Sequence, residues 1–320
     1  MRTFATKLLR FFIVIVAVTF FSFCLIKLVP GDPVNYIINY DPSGKLKAQL
    51  HRDLHLNDPF LVQYWHWLSN FFAGNFGRYY GLTPTSGGLV SNQLWKALPF
   101  SLVLMLYAQV LALAIAIPLG VVTAYRAGSK FDGASNAIAF GFLALPSYVL
   151  AFLLAIWVAV KWGWVPVSAA GKQISPIGDW KYMILPTISL AAAQVAVYMR
   201  LLRSDVIATL REDFITTAQA KGITNRRILF RHALRPSSLT LLTVAGLNVG
   251  ALIGGAVVVE TIFKLPGMGY ALYQAIFAKQ YVAMQSYIAV IALLYVFVNF
   301  VVDILYSVLD PRIRHARAAA

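Results

Sequence analysis

Long apolar runs alternate with shorter polar segments along the whole chain. Six runs are nearly free of charge in their middles: Leu9–Val29, Leu98–Val122, Ala137–Val160, Met183–Leu202, Leu239–Val259 and Tyr287–Leu309. A helix needs about 20 residues to cross about 30 Å of hydrocarbon, so each run is long enough to span a bilayer. An isolated strand would leave backbone groups unpaired in lipid. The pattern predicts an all-α integral membrane protein with about six transmembrane helices, in which residues 1–320 form a single transmembrane domain.

Composition supports this interpretation. Hydrophobic residues make up 59% of the chain and charged residues 12%, whereas soluble domains carry about 25% charged residues. The net charge of +15 suits an anionic lipid surface. The basic segments lack the interleaved aromatics of a nucleic-acid surface, so we expect the lipid bilayer as a partner and no nucleic acid.

The distribution of Lys and Arg predicts the orientation. Basic residues are denser in the short segments on the side of the two termini than in the longer loops opposite. Because basic residues concentrate in cytoplasmic loops, both termini are predicted to be cytoplasmic. Residues 30–97 then form a large extracytoplasmic loop. Its aromatic segment Gln63–Phe72 suits either a helix at the membrane interface or a small domain that covers a pore mouth.

The cytoplasmic loop formed by residues 203–238 differs from the others. An apolar stripe recurs every three to four residues, at Val206, Ile207, Leu210, Phe214 and Ala218. Gly222 follows where a helix C-cap belongs. Thr224 is suited to cap a second helix, which Pro236 ends. The loop is predicted to be a helix–turn–helix whose stripe needs cover from the membrane surface or a partner protein.

This loop resembles the EAA loop of ABC importer permeases, an element that docks on the ATPase subunit. The resemblance rests on Thr216-Thr-Ala-Gln-Ala-Lys-Gly222 and, nine residues later, His232-Ala-Leu-Arg-Pro236. Thr216 stands where the family usually has Glu, and the terminal Pro is displaced by one. The resemblance implies a set of ATPase-coupling residues: Phe214, Thr216, Thr217, Ala218, Lys221, Gly222, Arg226, Arg227, His232 and Pro236.

Further motifs, in order along the chain, are similar to the dipeptide and oligopeptide branch of that family. They are Leu28-Val-Pro-Gly-Asp-Pro33, Ile117-Pro-Leu-Gly120, Ala144-Leu-Pro-Ser147, Gly254-Gly-Ala-Val-Val-Val-Glu-Thr261, Pro266-Gly-Met-Gly269 and Val302-Asp-Ile-Leu-Tyr-Ser-Val-Leu-Asp-Pro-Arg312. The resemblance implies a type I ABC permease in a bacterial cytoplasmic membrane. It implies a second permease subunit, two ATPase domains that bind ATP, an extracytoplasmic peptide-binding protein and a peptide substrate. Nickel and glutathione permeases share the pattern, so it does not name the cargo.

The sequence lacks the motifs of several other chemistries. No G-x-x-x-x-G-K-[ST] phosphate-binding loop occurs, so energy must come from a partner or an ion gradient. The spans hold no nucleophile–base or paired-carboxylate constellation, and we expect neither an enzyme nor a cofactor in this chain. His51 and His55 lie four residues apart without the Glu of H-E-x-x-H. We interpret them as a solvated helix face, not a metal site.

Three polar residues near or within the spans are candidates for the transport pathway or its gate: Glu260, Asn248 and Gln194. Hydrogen bonding between helices is the alternative for the two amides. Gly246, Gly250 and Gly254 are predicted to form a close-packing face. The main rival function is an ion-coupled carrier that acts alone, for which Asp303 is the mid-span carboxylate; a membrane enzyme is disfavoured by the missing constellation.

Overall fold

The fold is built from helices joined by turns. The computed structural model describes residues 2–27, 31, 34–35, 44–80 and 87–309. The helices of this part of the chain are α1 (Arg2–Lys27), α2 (Lys45–Asp53), α3 (Phe60–Phe72), α4 (Val90–Tyr125), α5 (Lys130–Ala144), α6 (Ser147–Leu154), α7 (Ile184–Thr209), α8 (Asp213–Ala220), α9 (Asn225–Arg227), α10 (Leu234–Phe263), α11 (Met268–Phe277) and α12 (Tyr281–Leu309). Two π-helical segments, Ala155–Lys161 and Ile228–Ala233, follow α6 and α9. The predicted all-α architecture is confirmed.

Most of the predicted spans are long apolar helices. By length and composition, α4, α7, the run Asn225–Phe263 and the Tyr281–Val302 part of α12 can each cross a membrane, and α5 with α6 makes a fifth, bent candidate. The apolar stretch of α1, Leu8–Cys24, is shorter within the described residues. The end of the first predicted span, Val29, lies outside them. The chain is thus a multi-pass membrane protein.

The third predicted span, Ala137–Val160, is not one straight helix. The axes of α5 and of the helix that follows it differ by 100°. Pro146 precedes α6 as its N-cap residue, and Leu145 has an extended backbone with φ −92° and ψ 117°. Proline disfavours a helical conformation in the residue before it, which explains the break.

The chain divides into two compact units, Met1–Ser101 with Pro266–Phe297, and Leu102–Leu265 with Val298–Ala320. In the first unit, α3 packs on α1 through aromatic rings. Phe23 lies 5.4 Å from Phe60 and 5.6 Å from Tyr64 between ring centroids. A helix is therefore confirmed in the aromatic segment of the first long loop.

In the second unit, α7 lies against α5, α6 and α10. The predicted glycine face of α10 is only partly right. A Cβ at Gly246 would lie 2.6 Å from Val302 of α12, so that glycine does permit a close approach, but one at Gly254 would meet nothing within 4 Å. A Cβ at Gly255 would instead lie 3.0 Å from Cδ2 of Leu190 on α7, so this glycine permits the close approach.

A turn and a short helix follow α10. The chain turns at Lys264, whose φ is +48°. It then enters α11 after Gly267. Its N-terminus is held by the Met268 N–H, which donates to Oγ of buried Ser101 at 2.9 Å.

Candidate functional site

The 203–238 loop begins later than the apolar stripe suggested. Because α7 continues to Thr209, Val206 and Ile207 belong to a long apolar helix rather than to the loop's first helix. The chain turns at Leu210–Glu212, where the N–H of Glu212 donates to the carbonyl of Thr209 at 3.1 Å. The predicted single stripe is therefore wrong, because a turn divides it between two helices.

A small core holds the loop together. Ile215 and Ala218 of α8 and Ile228 are buried, and Leu210 and Ile223 pack against them. Phe214, which the predicted stripe placed on this inner face, is 47% exposed. The inner face of α8 thus starts one residue later than predicted, and Phe214 lies on the outer surface.

The predicted glycine turn is confirmed. Gly222 has φ +71° and follows α8. The N–H of Ile223 donates to the carbonyl of Ala218 at 3.2 Å, and the N–H of Gly222 donates to the carbonyl of Gln219 at 2.9 Å. These two bonds, with the Ile223–Ala218 apolar contact, form a Schellman motif. A Cβ at Gly222 would meet nothing within 4 Å, so only backbone conformation restricts this position.

The second half of the loop differs from prediction in two ways. Thr224 stands at the N-cap of α9, but its side chain makes no capping hydrogen bond. Pro236 does not end a helix; it lies in the first turn of α10. It follows a π-helical segment inside the continuous helical run Asn225–Phe263, where a proline removes one backbone hydrogen bond without ending the run. The π-helical segment Ile228–Ala233 precedes this turn.

Two hydrogen bonds tie the loop to longer helices. The side-chain amide of Asn225 donates to the hydroxyl of Tyr125, at the end of α4, over 3.3 Å. The hydroxyls of Thr209 and buried Ser237 lie 2.9 Å apart and connect α7 to α10. The loop is therefore hydrogen-bonded to the end of α4, and the two helices that flank it are hydrogen-bonded to each other.

Most of the residues singled out by the family resemblance are accessible. Phe214, Thr216, Thr217, Lys221, Gly222, Arg226, Arg227 and Pro236 are exposed, His232 is half-buried, and Ala218 is buried. Phe230, which sequence reasoning missed, is also exposed by 50%. The loop thus offers two exposed aromatic rings beside several cations, a surface suited to a protein partner.

Sequence reasoning also missed an ion pair between Arg203, the first residue of the predicted loop, and buried Asp132. Arg203 of α7 donates from Nε to Oδ1 of Asp132 at 2.6 Å and from Nη2 to Oδ2 at 2.7 Å. Asp132 is 4% exposed, and the N–H of Gly128 also donates to its carboxylate, at 2.9 Å. Ser129 caps α5 by accepting from the Asp132 N–H. The pattern Ser129-x-x-Asp132 before an apolar run was the available signal.

One of the three pathway candidates, Asn248, belongs to a polar cluster of α4, α7 and α10. The hydroxyl of Tyr198 donates to Oε1 of Gln109 at 3.2 Å, and Gln109 donates to the carbonyl of Ala245 at 3.3 Å. Asn248 also hydrogen-bonds to Tyr198. The side chains of Asn248 on α10 and Tyr198 on α7 are thus brought together, and the pathway role of Asn248 stays a prediction.

Gln194 is placed differently. Its Oε1 is buried and has no hydrogen-bond partner among the residues that the structure describes, and the same holds for Oγ1 of Thr187. Thr187, Gln194 and Tyr198 lie on the same face of α7. Seven residues make nearly two helical turns, and four residues make slightly more than one. Two unpaired acceptors on one helix face are costly unless a solute, water or another subunit supplies donors.

Glu260 lies one turn before the end of α10 and is 1% exposed. Its carbonyl accepts the N–H of Leu265 across the left-handed Lys264, at 2.9 Å. Its role in the transport pathway or its gate stays a prediction. The side chain of Asp303 lies outside the described residues.

Two comparisons place the chain in a family. Residues 116–315 match the binding-protein-dependent transport system inner membrane component, and residues 1–87 match the N-terminal region of the same membrane component. The chain belongs to this family of transport-system membrane components.

Named relatives align over almost their full length. The oligopeptide transport system permease protein AppB of Bacillus subtilis is 36% identical, over 94% of this chain and 96% of its own. The di/tripeptide transport system permease protein DppB of Pseudomonas aeruginosa is 37% identical, over 94% and 95%. A dipeptide permease DppB of Alkalihalophilus pseudofirmus is 32% identical, over 97% and 98%.

Proposed function

We propose that this chain is a pore-forming permease subunit of an ATP-driven importer of di- or oligopeptides. A second permease completes the pathway, two ATPase domains dock on the 203–238 loop, and an extracytoplasmic binding protein delivers the peptide. The chain lies in the inner membrane with both termini cytoplasmic. It moves substrate by alternating access and itself performs no catalysis.

The observation that carries this proposal is the construction of the 203–238 loop. A Schellman turn at Gly222 fixes the angle between α8 and α9, while Phe214 and Phe230 remain about half exposed. Exposed aromatic rings beside Arg and Lys are typical of protein interfaces, whose cores favour aromatic residues and Arg. A merely solvated loop would not need this internal core or these exposed rings.

The relatives support the substrate class. Their names specify oligopeptides, di- and tripeptides, or dipeptides. The absence of a phosphate-binding loop from the sequence supports a separate ATPase as the energy source. Unpaired buried acceptors at Gln194 and Thr187 are suited to peptide N–H donors as they pass.

Reconstitution separates this function from an ion-coupled carrier. Proteoliposomes that hold both permeases and the ATPase should take up radiolabelled di- or tripeptide only with ATP on the ATPase side and binding protein on the other. The chain alone, under an imposed proton or sodium gradient, should give no uptake. Gradient-driven peptide uptake by the chain alone would contradict the proposal.

A further inference from the structure

Two histidines and an aspartate meet where α2 connects to α3. His55, Asp58 and His66 each present one ligand atom, and these three atoms lie within 4.8 Å of one another. We propose that they form a binding site for a divalent transition-metal ion, with Zn²⁺ as its representative. The site shares no residue with the 203–238 loop or with the polar cluster at Tyr198.

The backbone directs His55 away from the helix on which sequence spacing placed it. Because α2 ends at Asp53, His55 does not share a helix face with His51. His55 has φ +53°, and its N–H donates to the carbonyl of Arg52 at 3.1 Å. A left-handed conformation costs a non-glycine residue about 1–2 kcal/mol. Strain of this kind is concentrated at functional sites.

Side-chain contacts hold the connection against α3. Nε2 of Gln63 donates to the carbonyl of Leu56 at 3.1 Å and to the carbonyl of Asp58 at 2.7 Å. Gln63 lies one turn before His66, so both project from the same side of α3. The His55 and His66 rings stack with centroids 4.2 Å apart and planes 5° from parallel. The two histidines are therefore brought together by a fixed turn.

The three groups form a ligand set that zinc uses. Nδ1 of His55 lies 3.0 Å from Oδ2 of Asp58. Two imidazoles and one carboxylate leave a fourth position open for water or a solute. Bonds of about 2.0–2.2 Å to a tetrahedral ion place neighbouring ligand atoms about 3.4 Å apart. On binding, the ligand atoms must therefore approach by up to about 1.4 Å, and the parallel His55 and His66 rings must tilt towards one ion. His55 and Asp58 are 43% and 38% exposed, so solvent borders both side chains.

The surroundings indicate which solute suits the open position. His55 and His66 line a cavity of about 340 Å³, whose wall also includes Lys27, Arg78 and Asp53. With a dication bound, this wall carries more positive than negative charge. An anionic ligand, such as a carboxylate, is then favoured in the fourth position.

Zinc binding to the full-length chain tests the site directly. The protein is purified in detergent through a tag without histidine, stripped with EDTA and titrated with Zn²⁺ against a chromogenic chelator. We expect one Zn²⁺ per chain. His66→Gln and Asp58→Asn should each weaken Zn²⁺ binding at least tenfold, and so should His55→Asn, in which asparagine retains the left-handed turn. The matched control His51→Ala should bind like wild type.

A second measurement needs no substitution. X-ray absorption of the zinc-loaded wild-type chain should show two imidazoles and two oxygen ligands, one from Asp58 and one from water or a solute, at about 2.0–2.2 Å. The proposal is overturned if less than about a fifth of an equivalent binds, or if the three substitutions leave affinity unchanged. A first shell that contains sulfur, as from the single cysteine Cys24, would also overturn the proposal, because none of its three ligands contains sulfur.

Discussion

The guanidinium of Arg203 donates two hydrogen bonds to the carboxylate of Asp132, 71 residues earlier in the chain. The pair joins α7 to the first turn of α5. Asn136 also donates to this carboxylate, at 2.8 Å, so several donors converge on one buried acceptor. Removal of either charge leaves the other without its partner.

Loss of one member of this pair is expected to be costly. Arg203→Ala should lower stability by about 1.5–3 kcal/mol, because the buried carboxylate loses the charged partner and keeps only the neutral donors Gly128 and Asn136. Asp132→Asn in the same background should restore part of the loss. Thermal unfolding in detergent, followed by circular dichroism for wild type, both single variants and the double variant, measures the coupling. Losses that simply add would contradict it.

Variants of two polar residues of α7 distinguish a role in the transport pathway from a role in helix packing. Oε1 of Gln194 has no partner among the described residues, so Gln194→Leu should leave stability nearly unchanged. Tyr198→Phe removes the bond to Gln109 and should cost about 1 kcal/mol. Peptide uptake should fall in Gln194→Leu at unchanged complex yield. Lower stability with normal uptake would make Gln194 a packing residue.

Glu260, near the C-terminal end of α10, provides a test of the predicted gating role. Glu260→Gln keeps the shape of this buried side chain and removes its charge. We expect peptide uptake to fall at least threefold while the amount of purified complex stays at the wild-type level. Uptake measured over a range of peptide concentrations checks this. Wild-type kinetics would assign Glu260 to the scaffold.

The orientation of the loops is tested by cysteine labelling. The single native cysteine, Cys24, is first replaced by Ala. Arg226→Cys and Lys172→Cys then place one exposed thiol in each of two loops. An impermeant maleimide should label position 172 in intact cells and position 226 only after permeabilisation. Labelling of position 226 from outside would reverse the topology.

Local signals predicted much of this structure. The apolar runs located the spans because burial in lipid requires about 20 apolar residues wherever the fold places them. Gly222 was predicted as a C-cap because a Schellman turn is defined by its own few residues. The break at Pro146 was also encoded locally, but its 100° angle depends on what α5 and α6 pack against.

Features that depend on tertiary contacts were not predictable. The pairing of Asp132 with Arg203 joins distant positions, and only the capping pattern at Ser129 indicated that Asp132 was special. Periodicity placed Phe214 inward because it extended one helix through the turn at Leu210–Glu212. His55 was assigned to a helix face because no glycine or proline next to it in the sequence indicated the left-handed turn that directs its side chain away from the helix.

The central claim is that the 203–238 loop couples a separate ATPase to transport, and Gly222 tests it most directly. Gly222 has the left-handed φ of +71°. A residue with a Cβ loses about 1–2 kcal/mol of conformational free energy there, and a β-branched residue loses more. Asn tolerates this conformation. Since a Cβ would meet no neighbour within 4 Å, Gly222→Val should distort the turn without a clash in the rest of the fold.

The measurement is ATP hydrolysis and peptide uptake in proteoliposomes that hold wild type, Gly222→Val or the matched control Gly222→Asn. We predict normal expression of all three. Binding-protein-stimulated uptake should fall about tenfold or more in Gly222→Val, which corresponds to about 1.4 kcal/mol of docking free energy, and remain near wild type in Gly222→Asn. Wild-type uptake and stimulated hydrolysis in Gly222→Val would contradict the coupling role of this loop.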